Sequence, residues 1–389
     1  MKKVAITKIQ NDNISEAIES AIDLIGGIER FISQGDKVLI KPNLTTDKSH
    51  EFGVTTNPIV VEAIVDLARR AGAKDIVIGE GTMVGLNTME VFEVLGYCEL
   101  AKRTGVRLVD LNTDEMEVVK IPNPRVIDSI HIPKTYLQSD VVINVPLLKT
   151  HICAVATLSL KNIKGVIPQY DKRRLHALGV NDGIVDINKV LKQNLIIVDG
   201  MRGQEGLGPI SGTPVDMNLI IAGENPVSVD AVCAKIMGIN PRDVLHIRGA
   251  ADEGLGTIDL RRVRICGEKI ADVKRKFLTP PRQLRGVFEG IDPYVDGSAC
   301  SGCVGAIGVA LNRMKDAGEL RMIAEKFGKI SLIAGRNTSK SVDSKDFCIT
   351  IGNCQAKQKG QLHIPDCPPS GFSIRDRIRN LLGLESLYS

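Results

Sequence analysis

The chain has no tryptophan, and aromatic residues make up only 3% of its 389 positions. Platforms for unpaired bases are built from such rings. The formal charge of +4 is small for this length, and no Lys/Arg block is interleaved with aromatics, so a nucleic-acid groove is excluded. Long apolar runs are missing as well. Stretches such as Asp140–Leu148 and Asn194–Val198 stop at strand length, short of the ~18 uninterrupted apolar residues of a membrane span. The opening MKKVAITKIQNDNISEA has two lysines, then a strand pattern and polar residues, without the apolar stretch of a signal peptide. The expectation is a cytoplasmic protein with no membrane span. No G-x-G-x-x-G follows the first strand, and neither the P-loop pattern nor G-x-S-x-G occurs. Gly203–Pro209 is glycine-rich but lacks a P-loop lysine, so a classical nucleotide site is unsupported.

What is present is material for two cores. A hydrophobic fraction of 43% over 389 residues exceeds what one domain usually holds. Short β-rich runs, Val4–Thr7, Lys37–Ile40, Asp75–Ile78, Val141–Val145, Leu195–Val198 and Asn218–Ala222, alternate with helical patterns at Ile59–Ala71 and Ser228–Met237. That alternation predicts a layered α/β domain with a mostly parallel or mixed sheet. Thr56-Asn57-Pro58 before the first of these helices and Gly72 after it supply start and stop signals. Residues 273–297 lose the alternation and contain Pro280, Pro281 and Pro293. The expected organisation is an α/β domain over 1–272, a linker over 273–297 and a smaller α/β unit over 298–389. The smaller unit reads as Cys-x-x-Cys, a helix at Val304–Ala317, strands at Lys329–Ala334 and Phe347–Ile351, and a closing helix at Ser373–Leu382.

Nine cysteines is an odd count, and five of them fall after residue 299. In a reducing compartment thiols stay free or bind metal. The tail reads DGSACSGCVGA, ITIGNCQA and HIPDCPPSG. Thiolates ligate iron-sulfur clusters, and a Cys-x-x-Cys turn offers two from one loop. Cys300, Cys303, Cys354 and Cys367 are therefore the candidate ligands. Gly302, Gly305 and Gly352 leave room and free N–H groups near sulfide, and Pro368-Pro369 stiffens the last loop. Four thiolates also make a zinc cage, although zinc modules usually pair two close knuckles and here the third and fourth ligands stand thirteen apart. Buried apolar thiols are the remaining reading. Cys348 lies on the strand before Cys354 and reads as core.

Polar residues in the larger domain follow apolar strands: Lys41–Asn43, Lys149–His151, Leu160–Gly165 and Asp199–Gly200. In open α/β sheets ligands bind beyond the carboxyl ends of strands. Lys41, Lys149, Lys161 and Lys164 would form a cationic pocket for a phosphate or carboxylate, with Asn43, Asn162 and Asp199 among its binding groups. His151 and His176 are candidate proton carriers, beside Lys149 and Lys161 as candidate catalytic groups. The competing readings are solvated lysines, asparagines that hold turns, and Asp199 and Asp230 as helix caps. His50, His131, His246 and His363 read as structural.

Two resemblances follow from these motifs. CSGC, GNC and IPDCPP resemble the proximal-cluster pattern of the small subunit of nickel-iron hydrogenases and of its relative in respiratory complex I. That resemblance implies one 4Fe-4S cluster on Cys300, Cys303, Cys354 and Cys367. The family usually has glycine before the last cysteine, where this chain has Asp366. Residues from about 1 to 270 resemble the domain-of-unknown-function 362 family through KPN, the KTH segment, TLSLKNIKG, IVDGMRGQEGLGP and NPVSVDAVCAKIMG. Members of that family often carry an iron-sulfur module, but no general activity follows from it. The expectation is a redox enzyme that passes electrons between the cluster and an anionic small molecule, with a redox partner protein as donor or acceptor. A lyase or isomerase with a structural cluster, and a non-catalytic electron-transfer or maturation partner, are the alternatives.

Overall fold

The computed structural model describes residues 2–279, 284, 286–295, 299, 301–335, 346–355, 360–366 and 368–386. The chain divides into two compact units. The first comprises residues 1–175 with 181–280, and the second comprises 176–180 with 281–389.

The first unit is built on strands β1 (Lys2–Lys8), β2 (Lys37–Lys41), β3 (Asp75–Glu80), β4 (Arg107–Asp110), β5 (Met116–Lys120), β6 (Ser129–Pro133), β7 (Val141–Asn144), β8 (Leu147–His151), β9 (Val155–Thr157), β10 (Leu195–Glu205), β11 (Thr213–Gly223) and β12 (Val263–Gly267). β5 and β6 form a separate hairpin, and the rest form one sheet in the order β12-β1-β11-β10-β7-β2-β3-β4, with β8 and β9 attached through β10. The run β10-β7-β2-β3-β4 is parallel, whereas β11 is antiparallel to both β1 and β10. The mixed sheet is the one the alternation predicts.

Neighbouring residues on a strand face opposite sides, and here both sides are covered. Val38, Ile40, Ile76, Ile78, Val141 and Ile143 enter one core with the helices Ile14–Ile25 and Pro58–Arg70. Leu39, Val77 and Val142 enter a second core with Ile130, Ile132, Ile163 and Leu175. Continuous apolar runs rather than alternation mark such doubly covered strands. The helix Pro58–Arg70 begins as its signals predict, with Pro58 in the first turn and the Asn57 side chain accepting from Ile59 N–H. Such a cap is worth about 1 kcal/mol.

The second unit has a parallel four-stranded sheet, β13 (Ile291–Val295), β14 (Ile330–Ala334), β15 (Phe347–Ile351) and β16 (Leu362–Ile364), in that order. Helices Ser301–Asp316, Glu319–Phe327 and Gly371–Leu382 share a core with it through Ile307, Leu311, Ile323, Ile374 and Ile378. Buried Glu319 receives Arg375 at 2.7 and 2.9 Å, which ties the second of these helices to the third. The run expected as linker differs here, since its last part is β13. Pro293 lacks an N–H, and β13 is an edge strand, where a missing donor is tolerated.

Among the described residues no helix is long and apolar enough to cross a membrane.

Candidate functional site

Parallel pairing brings the carboxyl ends of β2, β3 and β7 side by side, with Lys41 in register with Asn144. Polar residues collect there because the apolar strands end there. Lys41 and Glu80 are both buried, and Lys41 Nζ lies 2.8 Å from each Glu80 carboxylate oxygen and 2.7 Å from the Pro42 carbonyl. Glu80 also accepts from Leu44 N–H at 2.8 Å and Gly81 N–H at 2.9 Å. Burial lowers the Lys41 pKa while the Glu80 charge opposes the shift. Lys41 was expected to face an anionic ligand; its three donor positions are instead filled by Glu80 and Pro42, so it acts as a buried ion-pair partner.

From Lys149 a chain of amides runs inward. Lys149 Nζ donates to Asn43 Oδ1 at 2.6 Å and to the Val54 carbonyl at 2.8 Å. Asn43 donates to Asn162 at 2.6 Å, Asn162 to Asn144 at 2.6 Å, Asn144 to Gln193 at 2.6 Å and Gln193 to Asn188 at 2.8 Å. Every donor points the same way, and serial hydrogen bonds of this kind polarise one another. Asn43 and Asn162 therefore do more than hold turns: they orient Lys149. That lysine is fully buried, and its pKa is held well below the usual range, by burial first and then by Lys161 and Lys41.

Lys161 and Asn162 sit on a single helical turn, Ser159–Asn162, followed at once by a 3-10 turn, Ile163–Val166. Asp230 fixes the first turn by accepting from Ser159 N–H at 2.8 Å and Leu160 N–H at 3.0 Å. Burial pushes this carboxyl up to about 7. Gly165 closes the motif against the ion pair: a Cβ there would lie 2.2 Å from Glu80 Oε1 and 2.5 Å from Lys41 Nζ. A Cβ on Gly81 would lie 2.6 Å from the Gly165 carbonyl and 2.7 Å from Lys172 Nζ. Lys172, absent from the sequence reading, donates to the Gly81 carbonyl at 2.7 Å, the Thr82 carbonyl at 3.1 Å and Asn112 Oδ1 at 2.9 Å.

Burial lowers Lys172 to about 7 and Lys161 to about 8. Lys164 is pushed well down by burial and by repulsion from Lys161 and Lys172. The half-buried Cys153 thiol faces Lys161 and Lys164 and opposes both shifts. The arrangement brings together Lys41, Asn43, Lys149, Lys161, Asn162 and Lys164, and adds Glu80, Lys172 and Cys153.

Three other expected residues have different surroundings. His151 ends β8, and its Nδ1 accepts from Cys153 N–H at 3.0 Å. The β8–β9 connection closes through Val155 at φ 67°, an uncommon conformation for a β-branched residue. Asp199 was expected as a substrate group, but its carboxylate accepts from Asn57 N–H at 2.8 Å and Met201 N–H at 3.1 Å and is buried. It anchors the start of the helix Pro58–Arg70, and burial raises it to about 6. His176 lies in the stretch 176–180 that belongs with the second unit, on the helix Gln169–Leu178.

In the second unit, Cys300 and Cys367 lie outside the described residues; Cys303 and Cys354 lie within them. Cys303 is buried in the first turn of the helix Ser301–Asp316, and Cys354 is exposed in a turn after β15. Their sulfurs converge on one glycine. A Cβ on Gly352 would lie 3.4 Å from Cys303 Sγ and 3.7 Å from Cys354 Sγ. Gly352 has φ 90°, a conformation glycine adopts freely. Gly302, between Cys300 and Cys303 in sequence, packs against Pro368, where a Cβ would lie 2.7 Å from the proline Cγ. Two thiols facing a recess without a side chain fit a thiolate-ligated group. Cys348 is buried on β15, with its thiol pushed up by burial.

The model of the domain-of-unknown-function 362 family (DUF362) matches residues 38–235. A Synechocystis sp. protein described as thylakoid-associated is 28% identical over 265 residues, which cover 66% of this chain and 80% of that one. Among solved structures, the lactate racemase apoprotein of Thermoanaerobacterium thermosaccharolyticum gives a TM-score of 0.40 at 13% identity, covering 86% of this chain and 69% of that one. A Thermotoga maritima protein gives 0.38 at 12% identity, covering 62% of this chain and 59% of that one.

Proposed function

The chain belongs to the DUF362 family, a domain of unknown function, and on that premise we propose that it is an iron-sulfur redox enzyme acting on an anionic small molecule. Cys300, Cys303, Cys354 and Cys367 hold one 4Fe-4S cluster in this reading, and the lysine crevice of the first unit binds the substrate. A redox partner protein completes the electron circuit. The observation that carries the reading is the convergence of Cys303 Sγ and Cys354 Sγ on the bare Cα of Gly352. A side chain there would fill the space between two thiols, which a ligated group needs open. The bound cluster would supply one-electron transfer.

The chain's own residues divide the remaining work. Lys161 and Lys164, near the half-buried Cys153, attract the anion and fix its position. Lys149, oriented by Asn43 and the amides behind it, holds or releases a proton at Nζ. Burial and the neighbouring lysines hold its pKa well below the usual lysine range, which makes that proton easier to release. Glu80 neutralises Lys41 in a buried ion pair beside the other lysines.

Substrate-dependent reoxidation of dithionite-reduced protein under anaerobic conditions tests the proposal. Reoxidation that an anionic metabolite accelerates, and that Lys161→Gln abolishes, supports it. A cluster that cannot be reduced at physiological potentials overturns it.

A further inference from the structure

Four lysines, 41, 149, 161 and 172, meet one carboxylate in hydrogen-bond contact among the described residues, Glu80, and Lys41 holds both of its oxygens. The surplus is positive and mostly buried. Among the described residues Lys149 and Lys172 donate to neutral oxygens, those of Asn43, Thr45, Val54, Gly81, Thr82 and Asn112. Excess buried charge of one sign is stable only when the charged groups lose protons or when a counter-charge arrives. A second observation points the same way. Thr157 is in register with Lys149 across β8 and β9, and its Oγ1 is buried without a hydrogen-bond partner among the described residues. It is a donor left over beside the cations.

We propose that the lysine cluster at the carboxyl ends of β2 and β3 and on β8 takes an anion bearing two or more negative charges, a phosphate ester or a dicarboxylate, and that binding draws protons onto the buried lysines. The proposal rests on the anionic-substrate half of the function proposed above and goes beyond it in charge state and in proton linkage. The titratable and charged groups that face these lysines among the described residues can be named. Lys149 faces Lys161, Lys41 and Glu80; Lys161 faces Cys153, with His246 and Lys164 nearby; Lys172 faces Glu80, Lys41 and Asp110 and repels Lys164. His151 Nδ1 accepts from the Cys153 N–H beside this group.

The sign follows from these partners. Without a ligand, Lys172 titrates at about 7 and Lys161 at about 8, and Lys149 and Lys164 are also held well below their ordinary range. A dianion places negative charge against them and raises each value toward the ordinary lysine range. Between its free and bound values each lysine takes up a proton. Uptake is therefore large above about pH 8 and small near pH 6 for Lys161 and Lys172.

Isothermal titration calorimetry on the full-length protein tests this, with sulfate as a dianion that does not itself titrate. Runs at about pH 8.5 in two buffers of different ionisation enthalpy count the protons. The expected result is uptake of roughly half a proton or more per sulfate, falling toward zero at pH 6, with acetate binding roughly tenfold or more weakly. Phenyl phosphate and malonate then separate the two chemistries, the tighter one naming the substrate class. Lys161→Arg keeps the charge but cannot lose its proton; binding should persist with reduced uptake, whereas Lys161→Gln should weaken sulfate roughly tenfold. Equal binding of acetate and sulfate, no binding of any dianion, or heats independent of buffer at pH 8.5 would overturn the proposal. Wild-type calorimetry decides even where a variant fails to fold. Iron and sulfide assays on the same preparation keep the outcomes apart: anion binding without a cluster overturns only the redox reading, and a cluster beside acetate bound as tightly as sulfate overturns only this one.

Discussion

Asn353 and Asp366 are joined by two hydrogen bonds: Asn353 N–H donates to the Asp366 carbonyl at 3.1 Å, and Asp366 N–H donates to Asn353 Oδ1 at 2.9 Å. The residue before Cys354 is thereby fixed against the residue before Cys367. Gly352 N–H adds a bond to the Ile364 carbonyl at 2.9 Å, so the residues just after β15 are tied to those at the end of β16 and just beyond it. Asp366 makes its contribution through backbone atoms at φ 90°, where glycine is at ease and aspartate is not.

Asp366→Gly should keep both hydrogen bonds and relieve the backbone, leaving thermal stability equal or higher. Removing an exposed negative charge from the proposed cluster loops should also move the reduction potential upward. Differential scanning calorimetry and a potentiometric titration check the two halves. Asn353→Ala removes the side-chain acceptor and should cost about 1 kcal/mol.

Glu80→Gln leaves Lys41 buried without its counter-charge. Breaking one partner of a buried ion pair costs about 3–5 kcal/mol, so chemical denaturation should show a loss of that order. Adding Lys41→Met should recover part of it, because the unpaired cation is then gone.

Gly165→Ala should be destabilising for a steric reason alone. Its Cβ would meet Glu80 Oε1 at 2.2 Å, and overpacking of this kind costs about 1–3 kcal/mol. A variant as stable as the parent in urea would contradict the packing described.

Stability without ligand should rise between about pH 7.5 and 9. Lys172 at about 7 and Lys161 at about 8 lie below the ordinary 10.5, so the unfolded chain binds more protons in that window. The destabilisation is fully present below the folded values and is relieved as pH climbs through them. Asp199 at about 6 and Asp230 at about 7 act with the opposite sign, but their effect lies between their ordinary 3.8 and those values. Cys233 and Tyr97 are also raised, and they reverse the trend only above their ordinary 9.0 and 10.0. Thermal unfolding across the window, with Lys161→Met as the flatter control, measures the slope.

The sheet was legible because apolar strands and capped helices alternate in sequence, and Phe347–Ile351 was found with its bounds unchanged. The crevice was half legible: Lys149, Lys161 and Asn162 follow strand ends, which the topology converts into proximity. Glu80 ends the strand in KDIVIGEG and the same rule would have found it. Lys172 sits inside a helix, with no strand end to mark it, and only tertiary packing brings it to Gly81. Lys41 and Asp199 stood at the expected places with different partners, because a pattern gives position and not pairing. Pro293 concealed β13, since a proline reads as a break and an edge strand tolerates it.

Anaerobically purified wild-type protein assayed for iron, acid-labile sulfide and zinc tests the central claim most directly. The account predicts a brown protein with about four iron and four sulfide per chain. Serine at Cys300, Cys303, Cys354 or Cys367 should remove both, and Cys348→Ser should retain them. Colourless protein without labile sulfide, carrying stoichiometric zinc, would contradict it.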